Sequence, residues 1–179
     1  MRNPWRTLDS RLVYENPWIK VTEDRVLRPD GLPGIYGIVD IAPAVGVLAL
    51  SASREVALVG QWRYTRKRFC WELPLGGSKS TDASLLQAAQ RELREETGYV
   101  AEEWRQLGVL DSIVGVTTER ATFFLARELR HVGSQQDPEE EIVVRWVPFD
   151  EALEMVDRDE ITEAVSVAAL LRAERLLRS

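Results

Sequence analysis

Several sequence features that define whole classes of proteins are rare or missing in this chain of 179 residues. Its one cysteine, Cys70, excludes an intramolecular disulfide and a zinc site built from several cysteines. A long hydrophobic run is missing too, because the most apolar stretch, residues 41–52, contains Pro43 and Gly46 and is too short to cross a bilayer. The first residues lack the apolar core of a secretory signal. We therefore expect a soluble, cytoplasmic protein without a membrane partner.

An excess of positive charge is also absent. The 23 Lys and Arg residues are outnumbered by 29 Asp and Glu residues, and the formal net charge is −6. A general nucleic-acid binder needs a broad positive field, so we expect no nucleic-acid partner. What the chain does have is 45% hydrophobic residues, which is enough for a packed core and excludes global disorder. Its length fits one domain, or one domain with a modest extension.

The first forty residues are predicted to form short strands joined by turns. Residues 12–15, 18–27 and 34–40 are rich in β-branched and aromatic side chains. Asn16-Pro17 and Pro29-Asp30-Gly31 are typical turn sequences between them. A small sheet is only marginally stable alone in water, so this segment must pack against something. We assign residues 1–40 to an N-terminal β extension and residues 41–179 to the main domain.

The main domain is predicted to mix strands with helices, as α/β and α+β proteins do. Strands are predicted over residues 45–50, 55–61, 104–113, 121–126 and 142–147, and helices over 149–157 and 161–177. Between them, a helix is predicted to begin at Ala83, with Thr81 or Asp82 as its N-cap. It ends at Gly98, a residue type that commonly follows the last helical turn.

Three carboxylates share one face of that helix, because Glu92, Glu95 and Glu96 are spaced i, i+3 and i+4. A solvated charged face, balanced by neighbouring arginines, is one interpretation. The position argues against it, since the last helical turn is the negative end of the helix dipole and disfavours each anion by about 0.3–1 kcal/mol. A bound cation removes that cost. Mg²⁺ prefers carboxylate, water and phosphate oxygens, and the preceding Gly76-Gly77 loop can offer backbone carbonyls.

This stretch resembles the sequence box of the Nudix hydrolases, G-x5-E-x7-R-E-U-x-E-E-x-G-U, in which U is aliphatic or aromatic. The matching residues are Gly77, Arg91, Glu92, Leu93, Glu95, Glu96, Gly98 and Tyr99. The departure is Ala83, which stands where the box has its first Glu. In the family that Glu mainly supports the loop and helix, so its loss concerns loop geometry and metal affinity more than the reaction. The neighbouring Asp82 is the candidate to supply the lost carboxylate through a shift in the loop.

The resemblance extends over nearly the whole chain and points to the branch that hydrolyses ADP-ribose and nucleoside diphosphate sugars. The segments that carry it are Tyr14–Trp18, Gln61–Arg63, Trp71–Pro74, Gly115–Arg120 and Glu139–Glu141. It implies a Nudix α/β/α sandwich with a mixed β-sheet over 41–179, preceded by a small antiparallel sheet over 1–40. It also implies a homodimer, in which the extension pairs the subunits and lends residues to the neighbour's substrate pocket.

The same resemblance implies roles for individual residues. The residues expected to hold Mg²⁺, or Mn²⁺ in its place, are Glu92, Glu95, Glu96 and, through its carbonyl, Gly76. Glu140, or else Glu119, is expected to act as the general base, and Arg91 to steer the carboxylates as their ion-pair partner. The residues expected to contact substrate are Arg63, Glu72 and Trp18. For Trp18, packing in the core or in a dimer interface is the other interpretation.

The implied activity is Mg²⁺-dependent hydrolysis of a nucleoside diphosphate sugar, of the ADP-ribose, ADP-glucose or GDP-mannose type. The products are a nucleoside monophosphate and a sugar phosphate. Two alternatives stay open. One is a different Nudix substrate class, such as dinucleoside polyphosphates or oxidised nucleoside triphosphates. The other is a non-catalytic module that senses a nucleotide, with Ala83 as a sign of decay in the box.

Overall fold

The computed structural model of this chain describes residues 2–133 and 141–178. Strands and helices follow one another in this part as β1 Arg6–Glu15, β2 Ile19–Leu27, β3 Pro33–Ile41, β4 Ala44–Ala49, β5 Glu55–Arg63, β6 Arg68–Glu72, β7 Leu75–Gly77, α1 Leu85–Thr97, β8 Tyr99–Asp111, β9 Arg120–His131, β10 Val143–Pro148, α2 Phe149–Asp157 and α3 Ala164–Leu177. The mixture of strands and helices agrees with the predicted fold class. No helix of the described residues is long and apolar enough to span a membrane.

The chain forms two compact units, and the first contains the N-terminal residues up to Pro43 together with Asp111–Arg120. Strands β1, β2 and β3 make a three-stranded antiparallel sheet in that order, which confirms the predicted N-terminal sheet. β1 begins six residues before the predicted strand, because it pairs with β2 along its whole length. The turn into β3 has Gly31 at a φ of +83°, a left-handed conformation that glycine adopts without strain.

The loop after β8 is attached to the β3 edge within the same unit. The Val39 N–H donates to the Val116 carbonyl at 2.9 Å, and the Thr118 N–H donates to the Val39 carbonyl at 3.0 Å. The phenol of Tyr36 donates to the Gly115 carbonyl at 3.0 Å. The strand predicted to continue to residue 113 ends at Asp111, because the Ile113 carbonyl accepts from the N–H groups of Val116 and Thr117, at 3.0 Å each, within the loop itself.

The second unit contains Ala44–Leu110 and the chain from Ala121 onward. It has one sheet in the order β10-β5-β6 and one in the order β7-β4-β9-β8. β4 runs parallel to β9 and antiparallel to β7, so this sheet is mixed.

Alternate residues of β4 point to opposite faces, as the two-residue period of a strand requires. Val45 and Val47 belong to a buried cluster with Ala89 and Leu93 of α1, whereas Leu48 belongs to a second cluster with side chains of α2 and α3. Helices thus cover both faces of β4, and the predicted α/β/α layering is confirmed.

Two helix starts differ from the prediction, while α2 begins and ends where it was predicted. The N-cap of α1 is Ser84, whose side chain accepts from the Gln87 N–H at 3.1 Å, so Thr81 and Asp82 were wrong as caps. α3 begins only after Glu163, whose carboxylate accepts from the first free N–H groups of the helix. In both cases the side chain that caps the helix decides where it starts.

Candidate active site

The three predicted carboxylates lie in the last two turns of α1, and two of them are buried. Glu92 and Glu96 are one helical turn apart and only 8% and 4% exposed. Glu95 lies between them in sequence and its side chain is 32% exposed. Ala88, Ala89 and Leu93 hold this helix against β4. The burial of Glu92 and Glu96 contradicts the solvated-face interpretation, because solvated carboxylates lie in water.

Strand β7 brings backbone directly against these carboxylates. The Leu75 N–H donates to Oε2 of Glu96 at 3.0 Å. A β-carbon added at Gly76 would overlap the carboxylate of Glu92, so only glycine allows this close approach. The next residue, Gly77, has open space where its side chain would be. Gly76 and the two buried carboxylates are therefore brought together, as the sequence predicted.

Arg91 links the helix to the loop that precedes it. Its Nη1 donates to Glu92 at 2.6 Å and to Glu95 at 2.9 Å, while its Nη2 donates to the Gly77 carbonyl at 2.9 Å. Nε and Nη2 donate to the two carboxylate oxygens of Asp82 at 3.2 and 3.0 Å. Burial opposes the charge of Arg91, but the hydrogen bonds to Asp82 and Glu92 outweigh it and raise the pKa of the guanidinium.

The electrostatics of Glu92 favour a nearby cation. Burial raises the pKa of its carboxyl, and Arg91 opposes this rise only in part. A buried carboxylate is costly unless a positive charge or hydrogen bonds compensate it. Lys79 contributes a second positive charge on this side, with Nζ 3.7 Å from Oε2 of Glu95.

The oxygen atoms that this site offers suit a hard divalent cation. Such an ion would have only some of its ligands from the protein and would take the others from water or substrate. Within residues 2–133 and 141–178, no group of three or more His, Cys, Asp or Glu side chains could hold a metal ion alone. Mg²⁺ does not need such a cage, since it usually takes one or two carboxylates and fills its remaining positions with water and phosphate oxygens. Glu92, Glu96 and the Gly76 backbone have the chemistry of such a partial set.

A second buried ion pair lies in the same unit. Glu72, at the end of β6, is 4% exposed. Arg63, at the end of β5, donates from Nε to both of its oxygens at 3.0 and 3.1 Å, and Nη2 makes a further short contact with Oε2. Burial lowers the pKa of Arg63, but Glu72 and the more distant Glu96 and Glu163 outweigh this and raise it. Arg63 and Glu72 therefore share an electrostatic environment with Glu96.

The remaining predicted residues lie elsewhere in the chain. Trp18 precedes β2 and Glu119 precedes β9, and both belong to the first unit. Trp18 is 76% exposed, so the core-packing interpretation of this residue was wrong for the single chain. Glu140 lies outside the described residues.

A polar network between the end of β6 and the start of α3 was not predicted from the sequence. The Ser166 hydroxyl donates to Glu163 at 2.8 Å and accepts from the Leu73 N–H at 2.9 Å, and Ser166 is fully buried. It ties the start of α3 to the segment that follows Glu72. The available signal was the Glu at the N-cap position, three residues before a serine.

Comparison with known proteins agrees with this architecture. Residues 40–170 match the model of the NUDIX domain, and residues 5–39 match the nucleoside diphosphate sugar hydrolase N-terminal domain.

The relatives include two bacterial proteins named ADP-ribose pyrophosphatase. The chain is 31% identical to that of Mycobacterium tuberculosis over 93% of its length and 82% of the relative's. It is 28% identical to that of Bacillus subtilis over 92% of its length and 90% of the relative's.

A crystal structure of an ADP compounds hydrolase has the same fold. It superposes with a TM-score of 0.87 over 97% of this chain and 94% of that one, at 18% identity. At such low identity the likeness speaks for the fold alone. The domain match over most of the chain, together with the relative at 31% identity, shows that this protein is an enzyme of the Nudix hydrolase family.

Proposed function

We propose that this protein hydrolyses the pyrophosphate link of a nucleoside diphosphate sugar, of the ADP-ribose, ADP-glucose or GDP-mannose type, with Mg²⁺ as cofactor. The observation that carries the proposal is the pair of buried carboxylates against the backbone of β7, with Glu92 beside Gly76 and Glu96 beside Leu75. The match of residues 5–39 to the N-terminal domain of nucleoside diphosphate sugar hydrolases supports the substrate class.

The reaction adds one water across the P–O–P link. A bond forms between phosphorus and the oxygen of water, and the bond from that phosphorus to the bridging oxygen breaks. The bridging oxygen leaves on the other phosphoryl group, so the products are a nucleoside monophosphate and a sugar phosphate. A proton of the attacking water passes to a base.

Four residues are proposed to hold the metal: Gly76 through its carbonyl, and Glu92, Glu95 and Glu96. When bound, Mg²⁺ neutralises the diphosphate charge and lowers the pKa of water, and Mn²⁺ can take its place. Arg91 contacts both Glu92 and Glu95, so it holds these carboxylates in their orientations.

Three further carboxylates and one arginine complete the proposed machinery. Glu140, or else Glu119, is proposed as the base that takes the proton from water. Arg63 is proposed to bind substrate while Glu72 holds its guanidinium in place; the Arg63 side chain is still 34% exposed and can meet a phosphate.

We also propose that the enzyme is a homodimer whose partner surface is the N-terminal sheet. Every residue of β1 is exposed, and the large apolar side chains that the first unit exposes include Leu8, Leu12, Val13, Tyr14, Trp18 and Ile35. Large apolar side chains exposed in such number on one small sheet are what a protein interface would cover. Within the dimer, Trp18 would lie in the partner's substrate pocket or in the interface itself.

A substrate panel tests the activity. The purified protein, freed of metal with a chelator, is offered ADP-ribose, ADP-glucose, GDP-mannose, a dinucleoside polyphosphate and an oxidised nucleoside triphosphate, each with and without Mg²⁺. Chromatography identifies the nucleotide product. Glu96→Gln serves as the inactive variant, and Glu102→Gln, at an exposed position of β8, is the matched control for the same chemical change.

The expected result is nucleoside monophosphate from a nucleotide sugar, only with metal, and only from wild type and Glu102→Gln. Preference for a dinucleoside polyphosphate or an oxidised triphosphate would move the protein to another Nudix substrate class. Tight binding of a nucleotide sugar without turnover would identify a sensor.

A further inference from the structure

Ala83, the residue that departs from the Nudix box, takes no part in the ion-pair network around Arg91. Ala83 is exposed and lies one residue before the N-cap of α1, outside the helix. Its N–H donates to the side chain of Gln87, which keeps it at the helix start. A carboxylate is nevertheless present beside Arg91, and it belongs to Asp82.

Asp82 accepts two hydrogen bonds from one edge of the Arg91 guanidinium. Its two oxygens accept from Nε at 3.2 Å and from Nη2 at 3.0 Å, which is the bidentate geometry that fixes a planar guanidinium most firmly. The Asp82 side chain is 6% exposed and that of Arg91 is 18% exposed. The remaining nitrogen, Nη1, is thereby directed at Glu92 and Glu95.

Asp82 is itself held by the turn that it closes. The Lys79 N–H donates to Oδ2 of Asp82 at 2.7 Å, and the Asp82 N–H donates to the Lys79 carbonyl at 3.0 Å. The hydrogen bond from Arg91, with the bond from the Lys79 backbone, lowers the pKa of the Asp82 carboxyl. The carboxylate is therefore ionised at neutral pH and cannot swing away without breaking the turn.

We propose that Asp82 is the positioning residue of the site: it anchors Arg91 and, through it, aims Glu92 and Glu95 for metal binding. This inference rests on the proposed function. Asp82 lies one residue before Ala83, the position at which the Nudix box has its first Glu. Both residues belong to the loop that precedes α1, so no helical turn fixes which of the two faces Arg91. Without Asp82, Glu92 and Glu95 would be the carboxylates left to balance the positive charge of Arg91, which would then compete with a metal ion for them.

The test measures metal binding separately from turnover. Mn²⁺ is titrated into the metal-free, substrate-free protein and free Mn²⁺ is followed by electron paramagnetic resonance, while hydrolysis and melting temperature are recorded on the same samples. The variants are Asp82→Asn, Asp82→Glu and Ala83→Glu. Asp157→Asn, at an exposed position at the end of α2, is the control for losing one Asp charge.

Asp82→Asn is expected to weaken Mn²⁺ binding by about tenfold to a hundredfold, the usual effect of removing a residue that orients metal ligands. Asp82→Glu keeps the charge and is expected to recover most of the affinity. Ala83→Glu and Asp157→Asn are expected to leave the affinity unchanged or, for Ala83→Glu, slightly tighter.

Unchanged Mn²⁺ affinity in Asp82→Asn would overturn the inference, even if the variant melts earlier, because a merely structural role predicts that pattern. Should Asp82→Asn fail to fold, a Mn²⁺ affinity of the folded Asp82→Glu variant well below that of the Asp157→Asn control would overturn it as well, because Asp82→Glu keeps the carboxylate. The proposed function fails separately: a wild type whose Mn²⁺ affinity depends on Asp82 but that hydrolyses no nucleotide sugar contradicts the function and not the positioning role.

Discussion

The N-terminal sheet exposes apolar side chains, whereas the end of α1 buries charged ones. In the sheet, apolar side chains such as Leu12 and Ile35 are 52% and 69% exposed. At the end of α1, the carboxylates of Glu92 and Glu96 are buried. Each arrangement costs free energy for the isolated chain, since apolar groups are better buried and charges are better hydrated.

Ion pairs show the same contrast. In Arg11–Glu23 of the N-terminal sheet the two side chains are 70% and 29% exposed, whereas in Arg91–Glu92 they are 18% and 11% exposed. Exposed pairs contribute about 0–1 kcal/mol, while breaking a buried pair costs about 3–5 kcal/mol. Under the proposed function, each region departs from the stable arrangement for a ligand of its own: a partner subunit for the sheet and a metal ion for the helix.

The largest effect is expected from Glu96→Gln, which removes a charge from the buried site but keeps an acceptor for the Leu75 N–H. Turnover should fall by at least about a hundredfold, and metal binding should weaken. Stability should change little, because losing an anion at a helix C-terminus is favourable by about 0.3–1 kcal/mol, which acts against the lost attraction between Glu96 and Arg63. Metal-dependent turnover and melting temperature check both parts. A fully active Glu96→Gln enzyme would defeat the metal assignment.

Gly76→Ala should separate ligand geometry from folding. The new methyl group would push the Glu92 carboxylate, so metal affinity should fall by about tenfold to a hundredfold. Gly77→Ala is the matched control, because its methyl group meets open space. Mn²⁺ titration of both variants measures the difference. Equal affinities would mean that the close approach of Gly76 to Glu92 has no bearing on the metal.

A smaller effect is expected when the apolar surface of the sheet is interrupted. Leu12→Glu places a charge in the proposed dimer interface and should weaken self-association at least about tenfold, which is about 1.4 kcal/mol. Leu171→Glu, at a similarly exposed leucine of α3, should leave it unchanged. Light scattering across a dilution series gives the molecular mass. A wild type that is monomeric at micromolar concentration and fully active would contradict the homodimer.

The smallest effect is expected at the exposed ion pair of the sheet. A double-mutant cycle with Arg11→Ala and Glu23→Ala should give a coupling energy below about 1 kcal/mol that fades as salt is added. Urea unfolding of the four proteins measures it. A coupling of several kcal/mol, insensitive to salt, would show that this pair is buried in the assembled protein and would erase the contrast with Arg91.

Much of α1 was predictable because a helix is a local structure. Its hydrogen bonds join residues four apart and its faces follow from a period of 3.6 residues, so Glu92, Glu95 and Glu96 had to share a face wherever the helix lay. Gly98 ends it as predicted, with a φ of +75°. The same locality explains why α2 was predicted to its exact ends.

The contacts between distant segments were not predictable in this way. Nothing in the neighbourhood of Arg63 shows that it pairs with Glu72 across the β5–β6 hairpin, or that residues 116–118 join the edge of β3. The prediction of Asp82 as N-cap was wrong for a related reason. Its carboxylate is taken by Arg91, nine residues away, and Ser84 is left to cap the helix.

The sequence by itself determined the mixture of strands and helices and the face of α1 that carries the carboxylates, because these depend on short-range periodicity and on residue types at fixed spacing. The family and its layered fold followed from the resemblance of the sequence motifs to the Nudix box. Only the tertiary structure decided that Glu92 and Glu96 are buried and that both oxygens of Asp82 accept from Arg91. Burial and bidentate pairing depend on which segments meet in space, and the folding of the loop onto the helix sets that.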